Sequence, residues 1–177
     1  MSRSEIRIAG AGGQGVVTAG RILAEAAILS GKKATHSQVY GPQSRGGASR
    51  SDVVIDTAEI GFPLAYNLDL LIILSDKAYT KYQPEPDDHT PMIVDRDCAP
   101  DSIPESATIF PVVATARSVS GGVLATGVVA LGVLQQVAGF VDADTLRQAV
   151  AARVPAKFKA MNLDALEAGM GLVGIPT

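Results

Sequence analysis

Six residues near the start of the chain, Gly10-Ala-Gly-Gly-Gln-Gly15, have the types and spacing to receive an anion. Gly10, Gly12 and Gly15 fall at the G-x-G-x-x-G spacing that turns a strand into a helix, with Ile6, Ile8 and Ala9 as the β-prone run before it. In such a turn the first glycine takes a conformation closed to other residues, the second admits a ligand or another chain, and the third lets the helix pack on the sheet. The helix then starts with bare N–H groups, which together with its dipole favour a phosphate or carboxylate. The same turn also serves as a compact strand-to-helix junction with no ligand. A dinucleotide site adds an acid at the end of the second strand, about 20 residues on. The second strand here, Lys33 to Tyr40, ends without one, and the nearest arginine, Arg45, lies in the following loop. Nicotinamide binding is therefore the weaker reading of the motif.

A second stretch, Tyr40-Gly-Pro-Gln-Ser-Arg45-Gly-Gly-Ala-Ser-Arg50, sets glycines on either side of a fixed cation. Gln43, Ser44, Arg45, Gly46 and Gly47 could cradle a carboxylate, a phosphate or an acidic partner loop, or form a hairpin whose arginines are merely solvated. No catalytic constellation emerges elsewhere. His36 and His89 are far apart and lack a nucleophile or metal-ligand spacing, so each reads as a surface or hydrogen-bonding histidine. Cys98 sits beside acids that disfavour a thiolate and reads as a buried structural thiol. The carboxylates of Asp87-Asp88 and Asp95-Arg96-Asp97 read as solvated loop ends.

These stretches need a scaffold, and the composition fits one α/β domain over residues 1–177: 47% hydrophobic residues, 18 glycines and no Trp. A net charge of −3 argues against nucleic acid as a partner. One cysteine excludes an internal disulfide, and with two histidines it excludes a cysteine-ligated cluster supplied by this chain alone. The first ten residues have no signal-like apolar core, so the expected compartment is cytoplasmic. Ser118 to Val141 is uncharged but broken by glycines and Gln135-Gln136, which argues against a membrane span and for a helix buried on most sides, one face covered by a partner.

Periodicity places helix 1 over Gly15 to Ser30, with Val16, Ala19, Ile22, Leu23, Ala26 and Ala27 inward and Gly31 as its stop. Strands follow at Lys33 to Tyr40 and Arg50 to Asp56, joined too briefly for a crossover helix and hence antiparallel. Leu68 to Leu74 reads as a central strand, and Ser75 caps a helix over Asp76 to Tyr82 in which Tyr79 and Tyr82 share a packed face. Further strands are expected at Met92 to Asp95 and Ala107 to Val113, then helices over Gly122 to Val137, Asp142 to Arg153 and Leu163 to Met170.

The two glycine motifs, the Ala19-Gly-Arg-Ile-Leu-Ala24 turn of helix 1, Ser51-Asp-Val-Val, Ile60 to Pro63 and Leu68 to Leu74 occur in an order that resembles the gamma subunit of 2-oxoacid:ferredoxin oxidoreductases. That family includes pyruvate, 2-oxoglutarate, indolepyruvate, 2-oxoisovalerate and arylglyoxylate enzymes. Where an Asn often precedes the late apolar helix, this chain reads Ser118-Val-Ser-Gly-Gly122. The resemblance implies a Rossmann-like three-layer α/β/α domain with a mixed, mostly parallel sheet. It implies a hetero-oligomer with alpha, beta and ferredoxin-like subunits, in which thiamine diphosphate, magnesium and iron–sulfur clusters belong to the partners. Coenzyme A is the ligand that Gly10, Gly12, Gly13, Gln14 and Gly15, with Gln43 to Gly47, are expected to share. Two readings stand beside it: a free-standing nicotinamide or flavin reductase, and a purely structural adaptor.

Overall fold

The computed structural model describes residues 3–40, 47–83, 89–98 and 104–174, so Gln43, Ser44, Arg45 and Gly46 lie outside it, as do Asp87 and Asp88. Six strands, β1 (Arg3–Ala11), β2 (Lys33–Val39), β3 (Ala48–Asp56), β4 (Leu70–Ile73), β5 (Met92–Asp95) and β6 (Ala107–Phe110), form one sheet in the order β2-β3-β1-β4-β5-β6. β3 pairs antiparallel with both β1 and β2, while β1, β4, β5 and β6 pair in parallel. The mixed, mostly parallel sheet is thus as expected. β1 and β2 point the same way but are not neighbours, because β3 runs between them.

Alternation divides the strands between two cores. Ile6, Ile8, Val53, Ile55, Leu70, Ile72 and Ile93 face the larger one. It is covered by α1 (Val16–Leu29), α3 (Val112–Ser120), α4 (Thr126–Ala138), α5 (Ala143–Arg153) and α6 (Lys159–Gly171). All six inward residues expected in helix 1 are buried. Leu71, Ile73, Met92 and Val94 face the smaller core under α2 (Asp76–Tyr82), where Tyr79 and Tyr82 pack. Ser75 caps α2 by accepting the Ala78 N–H at 3.3 Å. The other half of that face is charged: Arg7 meets Asp52 through two bonds of 2.7 and 2.9 Å. Over it lies the strap of residues 57–69, whose Tyr66 and Asn67 N–H groups donate to the buried Glu5.

Three expectations for the C-terminal half are corrected. The strand expected over Ala107 to Val113 stops at Phe110, because Pro111 has no N–H for the ladder and starts the next helix. The segment Ser118 to Ser120 closes that helix, α3, and the apolar helix begins four residues after Gly122, at Thr126. Thr126 to Leu134 are all buried by this chain's own helices rather than by a partner. Gly132 and Gly169 allow it: a Cβ at either position would run into the backbone of the facing helix, so α4 and α6 meet nearly backbone to backbone.

Asp95 also departs from the solvated loop end expected of it. It is 1% exposed at the end of β5, accepts the N–H of Asp97 at 3.0 Å and that of Val113 at 2.7 Å, and so caps α3 from inside the fold. Burial pushes its carboxyl above the usual value of 3.8, against the pull of those N–H groups. The folded state therefore binds this proton more tightly than the unfolded chain, and that cost of burying the charge is relieved as pH falls from the raised value towards 3.8. In urea unfolding between pH 7 and about pH 4, the stability difference between wild type and Asp95→Asn should shift in favour of wild type; a difference independent of pH would contradict this.

Candidate functional site

At the carboxyl edge of the sheet the chain leaves β1 at Ala11 and enters α1 at Val16, and the intervening turn is fixed almost entirely by one side chain. Gln14 is buried, accepts the Ala11 N–H on Oε1 at 2.7 Å and donates Nε2 to the Leu74 carbonyl at 2.7 Å. Its backbone carbonyl accepts the Gly127 N–H at 2.8 Å. Both halves of the amide are therefore engaged with backbone, and Gln14 shapes the turn from within rather than presenting its side chain outward.

The glycines take different parts from those the spacing implies. Gly10 stays in ordinary strand geometry; Gly13 and Gly15 hold the left-handed conformations, with φ of 97° and 73°. Gly15 is the N-cap of α1, and a Cβ there would stand 2.6 Å from the Leu124 carbonyl. The tight packing is thus against the α3–α4 connection, not the sheet. Gly15 provides no side-chain cap, and the first turn of α1 has no acid. The first N–H groups of a helix have no intrahelical acceptor, so those of α1 remain to be met by something else.

The second motif meets the first. Gly12 donates its N–H to the Gly47 carbonyl at 3.1 Å, and the β1–β3 ladder pairs Gly10 with Ser49 and Ala11 with Ala48. A cavity of about 230 Å³ opens there, bounded by Gly12, Gly13, Val17, Tyr40, Ser49 and Leu124. A second, of about 210 Å³, shares Gly15, Thr18 and Leu124 with it and extends to Val128, Phe158 and Met161. Leu124, 66% exposed, is the ridge between the two. The site thus joins helix N–H groups to an adjoining apolar chamber. Tyr40 was legible as the start of the second motif. Leu124 was not, because residues 122–125 read as part of a helix; the Gly121-Gly122 pair was the signal for a break, and Gly121 does turn left-handed there, at φ 70°.

The titratable groups singled out elsewhere line neither cavity. His36 lies under α1 with Nε2 2.6 Å from the Ser51 hydroxyl, and burial, with Arg21 beside it, pushes its pKa down. His89 is exposed. The Cys98 thiol is buried, donates to the Asp95 carbonyl and is pushed up to about 12 by burial and then by Asp95 and Asp76, so it is not a nucleophile at neutral pH. Among the described residues there is no group of three or more His, Cys, Asp or Glu able to hold a metal, and no helix is long and apolar enough to cross a membrane.

A family model for pyruvate ferredoxin/flavodoxin oxidoreductases matches residues 5–172. The chain belongs to this family. The 2-oxoglutarate synthase subunit KorC of Methanocaldococcus jannaschii is 36% identical over 172 residues, 94% of this chain and 92% of the relative. KorC of Methanothermobacter marburgensis is also 36% identical, over 180 residues and 97% of each chain. The solved gamma subunit of a keto/oxoacid ferredoxin oxidoreductase from Geobacter sulfurreducens superposes with a TM-score of 0.84 at 36% identity, covering 97% of both chains. A 2-oxoglutarate:ferredoxin oxidoreductase from Magnetococcus marinus, solved with 2-oxoglutarate, coenzyme A and succinyl-CoA, shares the fold at a TM-score of 0.85 and 23% identity; this chain spans 32% of that one.

In this oxidoreductase-family chain Gln14 should be worth more to the fold than an ordinary loop glutamine. Gln14→Ala strips a part-buried N–H and a buried C=O of their partners and is expected to cost about 2–3 kcal/mol in urea unfolding; a loss below about 0.5 kcal/mol would show that the amide does not hold the turn.

Proposed function

We propose that this chain is the gamma subunit of a multisubunit 2-oxoacid oxidoreductase that converts a 2-oxoacid to its acyl-CoA and passes electrons through iron–sulfur clusters to ferredoxin or a similar acceptor. It completes the assembly and presents its two glycine loops to coenzyme A. The observation that carries the reading is the Gly12 to Gly47 contact, which brings both motifs to one sheet edge beside an uncapped helix start. Open α/β sheets bind ligands at that edge.

Coenzyme A fits what is there. The α1 N–H groups suit its phosphates, and the apolar chamber by Leu124, Val128 and Phe158 suits its extended thiol arm; Arg45, outside the described residues, is the cation of the second motif assigned to those phosphates on its charge alone. When bound, coenzyme A supplies the thiol that accepts the acyl group. This chain's part is to hold and orient it: the Gly12–Gly15 backbone and Arg45 fix the charged end, Tyr40 and Leu124 wall the path, and Gln14 keeps the turn in shape. Thiamine diphosphate, magnesium and the clusters belong to the alpha, beta and ferredoxin-like partners, since one cysteine cannot ligate a cluster. The full-length relatives named for 2-oxoglutarate make that acid the first substrate to test.

The test is a complex reconstituted with Arg45→Ala and assayed against coenzyme A concentration. A coenzyme A contact predicts a KM raised about tenfold or more with assembly intact. An unchanged KM with weakened subunit association would support the structural adaptor instead. Micromolar binding of a nicotinamide or flavin by the isolated chain would favour the free-standing reductase.

A further inference from the structure

The two edges of the sheet are built differently. β6 is four residues long and runs straight into Pro111, which has no N–H to offer a further strand. β2 is seven residues long, contains no proline and carries one fixed charge. It is the end strand, so alternate N–H and C=O groups along its outer side face no strand among the described residues. A long, uninterrupted edge of this kind recruits another strand.

Apolar side chains bracket that edge. Ile28 and Leu29, 58% and 49% exposed, stand beside its start, and Val39 and Tyr40, 41% and 63% exposed, stand at its finish. A groove of about 500 Å³ lies along its first half, lined by Ile28, Gly31, Lys33, Glu59 and Ile60. Thr35 anchors the strap beside it by donating to the Pro63 carbonyl at 2.8 Å, and the strap shows Phe62 and Leu64 to solvent.

We propose that this edge is a self-association surface, on which β2 pairs antiparallel with β2 of a second copy about a two-fold axis at His36 and joins the two sheets into one. His36 is the midpoint of the strand, so this register uses all seven residues. It sets Lys33 opposite Val39, Ala34 opposite Gln38 and Thr35 opposite Ser37, and no like charges oppose each other. Lys33 is already paired with Glu59 at 3.2 Å, so each end of the seam is electrically balanced. The antiparallel sense brings Val39, at the apolar finish of each strand, onto the groove at the start of the other. The surface is thus complementary to itself, as a two-fold contact requires.

The test is sedimentation of the full chain between about 1 and 100 µM, with hydrogen exchange of residues 33–39 over the same range. The expected result is a species of two chains, with exchange in that stretch slowing as concentration rises. Val39→Lys, which opposes two lysines, should weaken association about tenfold or more, and Lys33→Glu added to it should restore association. A single-chain species at 100 µM, exchange independent of concentration, or a dimer indifferent to Val39→Lys would overturn the proposal.

Discussion

Gln14 joins three parts of the fold that the sequence holds far apart. Its side chain ties the end of β1 to the end of β4, and its carbonyl accepts the N–H of Gly127 in the first turn of α4. β1 and β4 are the central strands of the sheet, so the turn they share sets where α1 begins. Everything at the carboxyl edge is placed relative to that turn: the open N–H groups of α1, the Gly12 contact to Gly47, and the Leu124 ridge that packs on Gly15. A buried amide with every polar atom satisfied has one low-energy arrangement, and that gives this edge its definition.

The opposite design governs the helical side. α4 is buried along nearly all its length, and its closest neighbour is reached through glycine on both sides rather than through interdigitated large residues. Small residues bring the helix axes close, and the large apolar side chains are left to fill the layer between helices and sheet. Asp95, like Gln14, is a buried polar side chain at a strand end, but Asp95 caps a helix: it accepts the Val113 N–H in the first turn of α3, after the chain has returned through β6.

Much of this was legible in the sequence, and where it was not the reasons are physical. Helix 1, the Ser75 cap, the antiparallel pairing of β2 with β3 and the central strand, expected at Leu68 to Leu74 and observed at Leu70–Ile73, follow from local chemistry: periodicity, a hydroxyl before a helix, a short connection, an unbroken apolar run. Asp95 was misread because its neighbours Arg96 and Asp97 gave it the look of a surface loop, and only the return of the chain at Val113 buries it. The apolar helix looked as though it needed a partner because its own cover, α6, lies some thirty residues downstream. At the site, the glycine spacing marked the right turn, but it could not say that Gln14 points inward or that Leu124 closes the groove. Both depend on contacts across more than fifty residues.

The family match over residues 5–172 accords with a chain whose two glycine motifs meet at one shaped edge of the sheet. In the proposed assembly the chemistry belongs to partners and this chain contributes shape, backbone donors and a path for a ligand. The most direct measurement of that account is anaerobic affinity purification of the chain from its native host, with the bound polypeptides identified and thiamine, iron and sulfide assayed. The account predicts a brown, thiamine-containing complex with larger subunits that oxidises a 2-oxoacid in the presence of coenzyme A. A colourless protein recovered without partners and stable in solution would contradict it.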